Sequence, residues 1–328
     1  MTTRRRFIAA FGVTAVFAPF TALAQPAAPN LRRIGFLSQG SATENASRIE
    51  GLRAGLRDLG YVEGKNITIE YRWADGKAAR LPELAAELLK ANVEVIVTHG
   101  PPAIRAATQA TSSIPIVIAA VGDVLAAGFV TSLARPGGNL TGMSFFSPQL
   151  SAKRLELLKE AMPRASEAGV LLNPDNPVHG PAYEAMEKTA KSLKIRVQPF
   201  RVQSRPEFES AFAAMTKARL STVALIEDPV FNTNFKPLAE LAAKHRMASL
   251  GSPDFADVGG WIGYGVSIPD LFRRSAYFVD RIFKGARAAD LPIEQPTKFE
   301  LVMNMKTAKA LGIVISQELL LRADKVIE

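Results

Sequence analysis

Two α/β lobes, each a parallel sheet covered by helices on both sides, are what this sequence predicts, and three observations predict them. Short β-rich runs alternate regularly with helical patterns along the chain. The alternation falls into two series of similar size, separated by the turn-forming string Arg135-Pro136-Gly137-Gly138-Asn139. A length of 328 residues accommodates about two domains, each large enough for its own core. The composition, 48% hydrophobic and 22% charged with no Cys, excludes a disordered chain and a disulfide-stapled mini-protein.

In the first series, residues 33–37 (Arg-Ile-Gly-Phe-Leu) form a strand and 47–59 an amphipathic helix with Ile49, Leu52, Leu56 and Leu59 on one stripe. Strict alternation over 66–73 puts Ile67, Ile69, Tyr71 and Trp73 on one face of the next strand. Helix 81–90, strand 93–98, helix 102–110 and strand 114–120 complete it. The second series runs through helix 150–162, strand 168–172, helix 181–193, strand 195–200 and a helix opened by the capping box Ser204-Arg205-Pro206-Glu207. Strand 222–226, helix 234–245 and a short strand near Ala248 follow. Helix 271–284, strand 298–304 and a final helix from Lys306 close the chain.

Residues 1–24 read as an export signal: Arg4-Arg5-Arg6 precede a 17-residue apolar run, which ends at the small-x-small site Ala22-Leu23-Ala24. The run is shorter than the roughly 20 residues of a membrane span and is broken by Gly12, Thr14 and Pro19. The arginines followed by Phe7-Ile8 fit a twin-arginine signal or a general secretory one. Cleavage near Ala24 would release the protein to the periplasm, with 25–30 as a polar linker. The net charge of +9 then loses the leader's three arginines, and what is left is scattered, which argues against a nucleic-acid partner.

Searching for reactive chemistry yields mostly exclusions. No Cys nucleophile, His-Glu-x-x-His, Gly-x-Ser-x-Gly elbow or Walker loop occurs; Gly60 to Lys65 has one residue too few between its glycines, and Gly263-Tyr264-Gly265 lacks the third glycine of a dinucleotide fingerprint. The three His residues are far apart in sequence, so no metal or other cofactor is expected, and His245 reads as a dipole partner at a helix C-terminus.

What stands out instead is a set of loops at the carboxyl ends of the expected parallel strands, where open α/β sheets bind ligands. In the first lobe these carry Ser38, Gln39, His99, Gly100, Pro101 and Asp123; in the second, Asn173, Asn176, Asp228 and Phe231. Small-residue loops leading into helices at 38–41 and 100–103 offer backbone N–H groups to an anion. Asn173 and Asp228 offer acceptors to an ammonium or hydroxyl group, and Phe231 with Phe36 an apolar cover. For any single residue, turn formation and helix capping is the competing explanation.

The strings GLRDLGYVEGKNITIEYRWADG, SIPIVIAAVGD, SLARPGGNLTG and LPIEQPTKFELVMNMKTAKALGI resemble the ABC-transporter substrate-binding proteins that include tryptophan- and tyrosine-type binders. The resemblance covers the chain from Ile34 onward and implies a type I periplasmic-binding fold. In that fold two doubly wound lobes are joined by a three-crossover hinge, here near Met143, Ile268 and Pro292. It implies one lobe of residues 31–143 plus 268–291 and a second of 144–267 plus 292–328, with ligand contacts on the loops at Ser38, Gln39, 100–103, Asn173 and Asp228. His99 and the stretch 227–231 depart from the family pattern, which leaves the solute open.

The expected function is therefore that of a monomeric periplasmic solute receptor, not an enzyme. It would close on a small carboxylate or amino-acid-like ligand and present it to the permease subunits of an importer. The alternative is an exported enzyme on the same scaffold with Asp228, Glu227 and His99 as acid-base groups.

Overall fold

A computed structural model describes residues 31–328; the expected leader and linker lie outside the described residues. The first layer is built from β1 (Arg32–Ser38), α1 (Ala46–Asp58), β2 (Ile67–Trp73), α2 (Leu81–Lys90), β3 (Val95–His99), α3 (Pro101–Ala110), β4 (Ile116–Ala120) and β5 (Leu140–Gly142). These strands form a five-stranded parallel sheet in the order β2-β1-β3-β4-β5. β3 and β4 are buried along their whole length, which is why they read as continuous apolar runs rather than alternating ones.

The second layer comprises α4 (Ser147–Ala161), β6 (Glu167–Leu172), α5 (His179–Leu193), β7 (Arg196–Arg201), α6 (Phe208–Lys217), β8 (Thr222–Leu225), α7 (Pro229–Asn232), α8 (Phe235–Lys244), β9 (Ala248–Gly251), α9 (Pro253–Asp257) and β10 (Ile262–Gly265). Helix α10 (Ile268–Phe283) returns to the first layer, and β11 (Glu300–Asn304), α11 (Met305–Leu311), α12 (Gln317–Leu321) and β12 (Lys325–Ile327) belong to the second. The resulting seven-stranded sheet runs β12-β11-β10-β9-β8-β6-β7 and is parallel except where β10 meets β11. Each sheet is covered on both faces. Phe36, Leu52, Leu271 and Phe272 pack on one side of the first and Leu37, Leu88 and Ile104 on the other. The second holds Leu158, Met186 and Trp261 against one face and Phe208, Phe212 and Leu238 against the other.

Return of α10 to the first layer depends on α1. A Cβ at Gly51 or Gly55 would drive into the carbonyls of Pro269 and Arg273, so glycine at this four-residue spacing lets the two helices touch backbone to backbone. Leu271, Phe272, Ala276 and Val279 then complete the first core. Three passages connect the layers, over residues 143–146, 266–267 and 292–299. The first and third run side by side, with Ser144 N–H donating to the Glu294 carbonyl at 3.0 Å and Glu294 N–H to that of Gly142 at 2.8 Å.

Several local expectations need correction. Gly263-Tyr264-Gly265 lies in strand β10, whose glycines hide the alternation from a pattern reading. The chain does not end in the helix at Met305: α12 and the short strand β12, paired with β11, follow it. Leu59 is 39% exposed because α1 stops at Asp58 and turns the residue off the buried stripe. Glu207 accepts from Gln203 N–H and from the Ser204 hydroxyl rather than from Ser204 N–H, and the Ser204 side chain caps no N–H, so neither half of the expected capping box forms.

Candidate functional site

Sheet order determines where a ligand can sit. In the first sheet the chain reverses its direction of winding between β1 and β3, and in the second between β6 and β8. Loops leaving these strand pairs diverge above and below the sheet and open a crevice at their carboxyl ends. The two crevices face one another. His99, Gly100 and Gly122 from the first layer meet Asn176, Val178, Asp228, Pro229 and Asn232 from the second around one interlobe cavity. The lobes are shut: a Cβ on Gly100 would stand 2.8 Å from Pro229 Cγ, and one on Gly122 would stand 3.1 Å from Val178 Cγ1.

The first lobe's contribution is a cation. Arg48, on the first turn of α1, is only 6% exposed and lines the cavity, yet its one hydrogen bond goes from Nη1 to Asn45 Oδ1 at 3.2 Å. Burial pulls the guanidinium below its usual pKa, while the carboxylates of Asp254 and Glu44 pull it back. Arginine stays charged under such pressure. A buried guanidinium with unused N–H donors at a cavity is suited to a carboxylate.

Helix α3 does not form the N–H cradle expected of it. Pro101 and Pro102 occupy its first two positions and have no N–H, and Gly100 N–H is spent on the Ala120 carbonyl at 3.0 Å. His99 supplies a different group. Its Nε2 lies 3.0 Å from Ser38 Oγ, and burial, reinforced by the Arg48 charge, pushes its pKa down to about 3. The imidazole is therefore neutral at pH 7.

Acceptors come from the second lobe. Glu227 is held by fully buried Arg154, which also donates to the Tyr264 and Leu225 carbonyls, and its other oxygen, Oε2, is buried with no partner. Asn232 Oδ1 is likewise unpartnered, and both residues line the cavity. Asp228 is already engaged: Oδ2 accepts from Asn173 Nδ2 at 3.2 Å and Asn176 Nδ2 at 2.9 Å, and Oδ1 caps α7 through Val230 N–H at 2.8 Å. Asn173 N–H donates to His179 Nδ1 at 2.8 Å, so the proton sits on Nε2 and is donated to the Glu227 carbonyl at 3.0 Å. Burial lowers the His179 pKa, and neutral His179 ties the β6 and β8 loops together.

Of the residues expected from sequence, His99, Gly100, Pro101, Asn176 and Asp228 line the cavity. Ser38 and Asn173 stand behind them, on His99 and Asp228 respectively. Gln39 is 8% exposed with its Oε1 unpartnered, but it is not part of this lining. Asp123 caps a turn, accepting from Leu125 and Ala126 N–H at 3.0 Å. Phe231 corrects the expectation of an apolar cover. It is fully buried against Phe208 and His179, because α7 turns its ring into the core, and Phe36 is buried in the same way beside Trp73 and Phe272. The apolar lining is Phe145, Val178 and Ile268 instead. Sequence reasoning missed these, together with Arg48 and Asn232. Among the described residues no cluster of three or more His, Asp or Glu is placed to hold a metal ion.

Two α/β lobes joined by three passages, with a polar cavity between them, define the type I periplasmic-binding fold of solute-binding proteins. Residues 34–327 match the family described as ABC transporter substrate binding protein, and the chain belongs to that family. It is 25% identical over 266 residues, 80% of its own length and 76% of the relative's, to a tyrosine-binding protein of Clostridioides difficile (strain R20291). Among solved structures it is similar to the ABC domain in complex with L-Trp from Streptococcus pneumonia: the TM-score is 0.84 and the identity 25%, with 90% of this chain and 100% of that one covered. A conserved domain protein from Vibrio cholerae matches with a TM-score of 0.84 and 26% identity, over 90% and 99% of the two chains.

Proposed function

We propose that the protein binds a zwitterionic, amino-acid-like solute between its lobes and delivers it from the periplasm to the permease of an ABC importer. The observation that carries this reading is buried Arg48, facing the cavity with donors to spare opposite the unpartnered Glu227 Oε2. The solute's carboxylate sits on Arg48, its ammonium on Glu227 Oε2 and Asn232 Oδ1, and its side chain against Phe145, Val178 and Ile268. The relatives named for tyrosine and L-Trp support an amino acid, and the leader-like residues 1–24 support export. The enzymatic alternative is less well supported, since Glu227 is tied to Arg154 and His99 is neutral.

The test uses protein recovered from the periplasm, which is expected to begin near Gln25, titrated by calorimetry with L-tryptophan, L-tyrosine and other amino acids, and with tryptamine and indole-3-propionate. Binding that needs both the carboxylate and the ammonium group is the expected result. Tryptamine binding as tightly as L-tryptophan would overturn the Arg48 assignment.

Closure itself can be probed at Gly100. Its φ of +73° is unfavourable to any side chain, and a methyl there would meet Pro229 across the cleft. Gly100→Ala is expected to bind L-tryptophan roughly tenfold more weakly and to keep, at saturating L-tryptophan, a larger radius of gyration than wild type by small-angle scattering. Superimposable scattering profiles would show that closure does not depend on this contact.

A further inference from the structure

We propose that Asn45 and Ser38 are positioning residues that fix His99 as an Nδ1–H donor at the interlobe cavity, so that Arg48 and His99 grip one anionic group between them. The proposal deepens the reading of the cavity as a carboxylate site and rests on it.

Its basis is a hydrogen-bond chain whose direction is forced from one end. Arg48 can only donate, so the Asn45 atom it meets at 3.2 Å is the amide oxygen. The Asn45 amide nitrogen must then face the other way, where it donates to Ser38 Oγ at 3.2 Å and to the Ser41 carbonyl at 2.8 Å. Gly40 N–H also donates to Ser38 Oγ, at 3.1 Å. Two N–H donors fill the hydroxyl's acceptor capacity, and its single proton is left for His99 Nε2 at 3.0 Å. An imidazole that accepts at Nε2 and is neutral carries its proton on Nδ1. The ring lines the cavity, and among the described residues Nδ1 has no hydrogen-bond partner.

The chain is buried throughout: Ser38 and Asn45 have no exposed surface, and Arg48 and His99 have 6% and 7%. Water therefore does not scramble its polarity. Phe36 and Phe272, the latter edge-on at a centroid distance of 5.2 Å, hold the imidazole plane. Both ends of the chain thus present N–H groups to the same space, and neither presents an acceptor. An anion is favoured there, and the ligand's ammonium is left to the second lobe.

The experiment reads the tautomer directly, by 15N NMR of the full protein labelled at histidine, at pH 7 and without ligand. His99 is expected to show a protonated Nδ1 and a bare Nε2, while His179 shows the opposite state and serves as an internal control. Asn45→Asp is close to isosteric and reverses the chain, because a carboxylate accepts from Arg48 and from the Ser38 hydroxyl alike. His99 should then switch to the Nε2–H form, and L-tryptophan should bind roughly tenfold or more weakly by calorimetry. An Nε2–H tautomer in the wild type, or an unchanged tautomer in Asn45→Asp, overturns the relay. A switched tautomer with unchanged L-tryptophan affinity removes His99 from the carboxylate site. Should wild type bind neither L-tryptophan, L-tyrosine nor any other amino acid, the amino-acid reading fails at that step, while the tautomers of the free protein still decide the relay.

Discussion

Replacing Arg48 by methionine is expected to weaken L-tryptophan binding by roughly a hundredfold or more, because truncating one side of a desolvated charge pair costs about 2–5 kcal/mol. The same change is expected to leave the ligand-free protein as stable as wild type or more so. In the free state Arg48 is buried with a single hydrogen bond, so its lost hydration is poorly compensated, and an apolar side chain of similar length removes that cost. Calorimetry gives the affinity and urea unfolding the stability. The opposite pattern, a destabilised variant that binds within about threefold of wild type, would make Arg48 structural and move the carboxylate elsewhere. Arg154 is the internal contrast. It too is buried, but it is bonded to Glu227, Tyr264 and Leu225, so Arg154→Met is expected to destabilise the fold through the stranded Glu227 carboxylate.

That contrast explains how much of the site was legible. The loops were readable because strand order puts ligand loops at the carboxyl ends of strands, and the loops that follow β1, β3, β6 and β8 carry small or polar residues such as Gln39, Gly100, Asn173 and Asp228. Arg48 was not read because it lies in a helix. A signal was nevertheless present: Arg48 stands four residues before Leu52, on the stripe that buries Gly55 and Leu56, so the helical period itself puts a charge on the inner face. Phe231 went wrong for the converse reason. A loop residue was assumed to face the ligand, whereas one turn of helix, started by the Asp228 cap and Pro229, sends the ring inward. The role of Glu227 depends on Arg154, 73 residues away, and nothing local records that pairing. Strands were legible where both faces are buried, as in β3 and β4; β5 and β12 have three residues each, too few for a period to show.

Acidification is expected to destabilise the protein between pH 7 and pH 5, before most carboxylates titrate. The cause is the pair of buried histidines on opposite sides of the cleft. His99 has its pKa pushed down to about 3 by burial, with the Arg48 charge adding to the effect, and His179 is lowered by burial against the pull of the Asp228 and Glu227 carboxylates. In the unfolded chain both titrate near 6.5. Between that value and the folded one, the unfolded state takes up protons that the folded state refuses, so unfolding becomes easier as pH falls. For His99 the stabilisation is complete above about pH 7 and is lost on going down through 6.5 toward 3, at up to about 1.4 kcal/mol per pH unit, and His179 acts in the same direction. For His99 alone, the change from pH 7 to pH 5 amounts to about 2 kcal/mol. Urea unfolding of wild type and His99→Gln at pH 7 and pH 5 measures it. The variant is expected to lose about 2 kcal/mol less than wild type over that interval, whatever its stability at pH 7. Equal losses in the two proteins would mean that His99 accepts a proton in the folded state, where an imidazolium could no longer accept from Ser38 at Nε2 although it would keep its Nδ1–H.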